Sequence, residues 1–144
     1  MKIHAIILTL VALAFACAPA KLNAQQAGQQ GGYSANLITP KAGDILIPGQ
    51  RIKVQWTTSI SRPIDLAYCE AEIWLSLDGG STYSMCITPI MDPQARFFYW
   101  TVPNTPTKTA VLDIRFGCEG WWPESFSPQT ASVFQISNVS AQLY

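Results

Sequence analysis

Apolar and polar residues alternate along most of the chain between residues 36 and 137. In "QRIKVQW" (50–56), Ile52, Val54 and Trp56 fall on one side, with Arg51, Lys53 and Gln55 on the other. In "DLAYCEAEIWLSL" (65–77), Ala67, Cys69, Ala71, Ile73, Leu75 and Leu77 alternate with Tyr68, Glu70, Glu72 and Trp74. A period of two is that of a β-strand with one buried face. Further segments of this kind are "NLITP" (36–40), "TYSMCITPI" (82–90), "FFYWTVP" (97–103), "AVLDIRFGC" (110–118) and "ASVFQIS" (131–137). No segment keeps apolar residues three and four apart, and ten prolines are spread through the chain, so helices are not expected.

Seven short alternating strands in ~100 residues are the pattern of an antiparallel β-sandwich of immunoglobulin or fibronectin type III-like form. The strongest local signal is "SLDGGSTY" (76–83). Asp-Gly-Gly between two alternating strands predicts a hairpin, because glycine accepts the positive φ of a tight turn. The stretch also resembles the Asp-box of sialidase-type propellers, in which Asp and Ser/Thr side chains knit the turn together. One copy cannot build a propeller of several four-stranded blades.

The N-terminus changes the accounting. Lys2 precedes "AIILTLVALAFACA" (5–18), an apolar run too short for a comfortable membrane span and read as a signal-peptide core. Cleavage is expected after Ala24, with lipidation at Cys17 as the alternative. The expected organisation is a signal peptide (1–24), a Gln/Gly-rich flexible leader (25–35), a β-sandwich domain (36–138) and a short tail (139–144). Cleavage leaves seven cations against nine acids, near −2, and removes His4, the single histidine. A weakly negative chain is a poor partner for nucleic acid or anionic membrane.

Of the four cysteines, Cys69, Cys86 and Cys118 remain, and an exported chain oxidises a well-placed pair. In a sandwich the strand 65–77 lies between 82–90 and 110–118, which brings Cys69 near both Cys118 and Cys86. Cys69 and Cys118 share the inward phase, so Cys69–Cys118 is the first expectation and Cys69–Cys86 the alternative. Closing that loop is worth ~3–5 kcal/mol in the chain-entropy model. The third thiol is left free or intermolecular. Three scattered cysteines without histidine do not make a zinc site, and no cofactor is expected.

Chemistry is sparse. Without histidine, Ser-His and Cys-His pairs are not available. Glu119 and Glu124, flanking "WW" (121–122), are the one suggestive carboxylate couple, and are read as solvated loop charges rather than a glycosidase pair. No phosphate-binding Gly-rich loop or calcium loop appears. Continuing the even inward phase of Leu112, Ile114, Phe116 and Cys118 places Trp122 in the core and Trp121 outward, with Pro123 ending the strand. Trp121, alone or with Trp74, is the expected contact residue, with Glu119 and Glu124 beside it.

"ITPKAGDILIPGQRIKVQW" (38–56) and "YWTVPNTPTKTAVLDIRF" (99–116) resemble the Kre/Knh-like domain of the yeast cell-wall synthesis family, related to the Ser-Thr-rich GPI-anchored proteins. The resemblance implies a β-sandwich outside the cell, tied to a wall, matrix or larger surface protein, and carries no catalytic residues. The Ser/Thr-rich tail of the fungal pattern is missing, so a GPI anchor is not expected. The expected function is a non-enzymatic surface or matrix module for cohesion or docking. Its partner would be an envelope or matrix protein, or a polysaccharide. A carbohydrate-binding module using exposed aromatics is the alternative.

Overall fold

The computed structural model describes residues 32–61, 65–120 and 122–138. The expected signal peptide, Cys17, most of the leader and the last six residues lie outside this range, as does Trp121. The described chain is a β-sandwich. Nine strands run in the order β1 (Tyr33–Thr39), β2 (Ile45–Leu46), β3 (Arg51–Ile60), β4 (Cys69–Ser76), β5 (Met85–Cys86), β6 (Phe97–Thr101), β7 (Thr107–Cys118), β8 (Trp122–Ser125) and β9 (Phe134–Ile136). One sheet has the order β1-β3-β6, and the other β2-β9-β7-β4-β5, with β8 also paired to β7. Among the described residues no helix is long and apolar enough to cross a membrane.

The alternation read in the sequence becomes the two faces of each sheet. β4 and β7 pair antiparallel in unbroken register from Cys69↔Cys118 to Ser76↔Val111. Inside, Ala71, Ile73 and Leu75 face Phe116, Ile114 and Leu112; outside, Glu70, Glu72 and Trp74 face Gly117, Arg115 and Asp113. Val54 and Trp56 of β3 and Trp100 of β6 close the core from the other sheet, all at most 5 % exposed. Burial of this kind stabilises by ~1.5–3 kcal/mol per large apolar side chain.

Four differences from the sequence reading have physical causes. β1 starts at Tyr33, inside the expected leader, because Tyr33 stacks on Phe116 with ring centroids 5.0 Å apart and Ala35 enters the core. Residues 66–68 form a 3-10 turn, capped by the Asp65 carboxylate accepting from Ala67 N–H at 3.0 Å. In the arm 82–90 only Met85–Cys86 is a strand. Thr82 is held back by the Asp78 carboxylate, through its N–H at 2.8 Å and its hydroxyl at 2.7 Å, and Pro89 has no N–H to give. β7 does not run on to Trp122: the chain reverses at Gly120, whose φ is 71°, and Trp122 opens β8. Pro123 lies within β8 rather than ending a strand.

The two sheets are joined along the free edge of β1 by side chains. Ser127 Oγ accepts from Ala35 N–H at 3.0 Å and donates to the Ala35 carbonyl at 3.1 Å. Gln129 accepts from Leu37 N–H at 2.8 Å through Oε1 and donates to the Ala35 carbonyl at 3.0 Å through Nε2. Ser127 is itself fixed, because its N–H donates to the buried Asp113 carboxylate at 2.8 Å. Backbone groups that would template another chain are thereby occupied.

The two stretches that carry the family resemblance meet in space. Gly49 N–H donates to the Val102 carbonyl at 2.8 Å, and Val102 N–H to the Gln50 carbonyl at 2.9 Å. Gly49 sits at φ 82°, a conformation that favours glycine. These residues build a turn and, at Val102, part of the core.

Candidate functional site

Cys69 and Cys118 form a disulfide, with S–S at 2.08 Å, across directly opposed positions of β4 and β7. This is the pairing expected first from shared inward phase and antiparallel register, and not the alternative, Cys69–Cys86. Such a bond belongs to an oxidising compartment. Cys86 is a free, exposed thiol on β5, with its S–H directed at the Thr88 carbonyl at 3.2 Å. Among the described residues no three His, Cys, Asp or Glu side chains cluster as a metal site.

Beside the disulfide an open groove of about 1000 Å³ runs over the outer face of the larger sheet. β4 supplies Glu70, Glu72 and Trp74; β7 supplies Arg115 and Gly117; the β7–β8 turn and β8 supply Glu119 and Glu124; Tyr68 and Ile90 stand at its margins. Three of the four expected contact residues, Trp74, Glu119 and Glu124, are thus brought together. Trp121, the fourth, lies outside the described residues. Trp122 lines the groove from beneath but belongs to the core. It is 3 % exposed, stands opposite Cys118, meets Phe116 edge-on and donates from Nε1 to Ser125 Oγ at 2.7 Å.

Arg115 organises the groove. Its Nε donates to Asp113 at 2.8 Å and its Nη1 to Glu124 at 3.3 Å. Its guanidinium lies 4.4 Å from the Trp74 ring centroid and 4.7 Å from that of Phe126. Burial pushes the Asp113 carboxyl up, while hydrogen bonding and charge from Arg115 and the Ser127 N–H pull it down. Trp74 is therefore not an open stacking platform. One face meets a cation, and its Nε1 donates to Glu72 at 2.9 Å. Glu124, expected as a solvated loop charge, is tied to Arg115 while its side chain stays 49 % exposed.

A second exposed surface was missed from the sequence. On the outer face of the three-stranded sheet, Phe97 and Tyr99 of β6 are each 50 % exposed and meet edge-on at 5.8 Å. Across the strand pair, Arg51 lies 5.0 Å from the Tyr99 centroid and Lys53 4.5 Å from that of Phe97. The available signal was "FFYWTVP" itself. Phe98, Trp100 and Val102 already fill one phase, so aromatic residues in the other phase must face outward.

The Asp-Gly-Gly hairpin is a structural knot. Ser76 Oγ donates to Asp78 at 2.7 Å and accepts from Gly80 N–H at 2.9 Å. The bonds from the Ser76 hydroxyl and from Thr82 hold the Asp78 carboxyl down to about 2. No protein-family model matches the chain, and no curated protein matches it.

Proposed function

We propose that this chain is an exported, non-enzymatic module of a cell surface or extracellular matrix that works by docking a partner on its outer sheet faces. The observation that carries this reading is the Phe97–Tyr99 pair. Two half-exposed rings leave roughly 150–250 Å² of aromatic surface in solvent, on a strand whose other phase already fills the core. Aromatic residues with arginine are the composition of contact surfaces. The disulfide agrees with an address outside the reducing cytosol, and the apolar run 5–18 supplies the route. The strand order, with β1 and β2 divided between the sheets, supports the immunoglobulin-type description. The Kre/Knh-like resemblance supports the association with a wall or matrix. The test is co-sedimentation with the insoluble envelope fraction of the producing cells. Phe97→Ser/Tyr99→Ser is expected to lose retention that the unchanged chain shows; equal retention would contradict the reading.

One observation favours carbohydrate binding as a second reading. Tyr68 is 65 % exposed at the margin of a groove whose carboxylates could accept from sugar hydroxyls. Trp74 lies in that groove and reports on its filling. Titration of its fluorescence with a glycan panel is expected to respond if this reading holds, and silence across the panel would dismiss it.

A further inference from the structure

Charge is divided between the two outer faces. The strands β1, β3 and β6 carry Arg51 and Lys53 and no acidic residue. Among the described residues, the groove on the opposite sheet carries Glu70, Glu72, Glu119 and Glu124 against one cation, Arg115. That cation is already engaged by Asp113 and Glu124. Among the described residues, Arg51, Lys53, Glu70 and Glu119 have no ion-pair partner.

Apolar surface follows the same division. Phe97 and Tyr99 stand on the basic face, and Tyr68 and Ile90, at 65 % and 68 % exposure, stand beside the acidic groove. We propose that the docking partner is a second copy of this chain, with the basic aromatic face of one molecule seated on the acidic groove of the next. This rests on the docking reading above and names its occupant.

The geometry favours this pairing over its rivals. The two faces point away from each other across the sandwich, so they cannot meet within one molecule. Pairing a face with its own copy would set Arg51 and Lys53 against Arg51 and Lys53, or the carboxylates against each other, and like charges disfavour that strongly. Face-to-groove contact is heterologous. Each pair keeps one unused face and one unused groove, so the contact propagates into a filament or closes as a ring. After the expected cleavage the formal net charge is near −2, a small value that places little general repulsion between copies. Arg51 and Lys53 are already held over rings, which lowers the ordering cost on docking. A chain of such contacts supplies cohesion without a separate scaffold.

The experiment is sedimentation velocity on the purified chain and two charge-reversal variants, Arg51→Glu/Lys53→Glu and Glu70→Lys/Glu119→Lys. All four positions are exposed and none enters the core. At low ionic strength the unchanged chain is expected to form concentration-dependent oligomers. Roughly tenfold or greater weakening is expected between ~50 and ~500 mM salt. Each variant alone, with two like-charged faces, is expected to stay monomeric. An equal mixture of the two is expected to assemble again, because every contact then joins opposite charges. A Cys86→Ser chain is expected to behave as the unchanged one.

A chain that remains monomeric at about 1 mM in low salt overturns the proposal. So does assembly that survives in either variant alone, a mixture that stays monomeric, or assembly that disappears with Cys86→Ser. These failures are separable from failure of the docking reading. A monomeric chain that still needs Phe97 and Tyr99 for envelope retention docks on something else, whereas retention indifferent to those rings removes docking on this face altogether.

Discussion

The guanidinium of Arg115 lies 4.4 Å from the ring centroid of Trp74 while its Nε donates to the buried Asp113 carboxylate at 2.8 Å. An outward tryptophan on a central strand is thus part of a clamp. Arg115→Ala would leave Asp113 buried without its cation and remove the cover of Trp74. Removing one partner of a buried pair costs ~3–5 kcal/mol, and urea denaturation is expected to show a loss of that order. Arg115→Lys, which keeps the charge and loses the planar stack, is expected to fall between. A loss below ~1 kcal/mol for the alanine variant, the scale of an exposed pair, would contradict the clamp.

The disulfide joins residues 49 apart in sequence. Loop closure of that length corresponds to ~4 kcal/mol, so Cys69→Ser/Cys118→Ser is expected to lose stability of that size. In the native, unreduced chain a maleimide probe is expected to label Cys86 and spare the other two. A 69–86 linked peptide on non-reducing mapping would contradict the assignment.

The side-chain seam along β1 predicts a local effect. Ser127→Ala/Gln129→Ala leaves Ala35 and Leu37 backbone groups without their partners. Unsatisfied buried groups cost ~1–3 kcal/mol each. Hydrogen exchange at the Ala35 and Leu37 amides is expected to accelerate well beyond that at Val54 in the core. Unchanged protection at those two amides would show that the seam does not hold β1.

What the sequence made legible is what alternation encodes. Ile52, Val54 and Trp56, and Ile73 and Leu75 opposite Leu112 and Ile114, could be placed inward because a one-residue slip would expose them all. The same phase paired Cys69 with Cys118. Trp122 was placed inward for an incomplete reason, since it is the reversal at Gly120 that returns it to Cys118. β2 and β8 escaped detection because two residues, or a Trp-Pro-Glu-Ser run, carry no readable period. Ser127 and Gln129 lie outside every alternating segment and carry no readable signal, because their work is to bond the backbone of a strand some ninety positions away. At the candidate site, Glu119, Glu124 and Trp74 were visible as unusual residues. That Arg115 would occupy Trp74 depended on a diagonal across β4 and β7.

Asp78 gives a pH signature. Its folded value, about 2 against an ordinary 3.8, comes first from Ser76, then from Thr82. A depressed carboxyl contributes stability that is full above the unfolded value and is lost as pH falls through the folded one. The stability difference between the unchanged chain and Asp78→Asn is therefore expected to hold above about pH 4 and fade toward pH 2. The raised Asp113 carboxyl acts with the opposite sign, favouring the fold as pH falls. It is common to both proteins and drops out of the difference. A gap that stays constant from pH 7 to pH 2 would contradict the knot at the hairpin.

Docking on the three-stranded sheet requires that its outer face, bearing Phe97 and Tyr99, be covered when the protein is at work. Hydroxyl-radical footprinting measures this directly, by comparing oxidation of the two rings in the dilute purified chain and in the intact envelope of the producing cell. Both rings are half-exposed in the isolated chain and should oxidise readily there. Several-fold protection of Phe97 and Tyr99 is expected in the envelope. Equal oxidation of both rings in the two settings would contradict it.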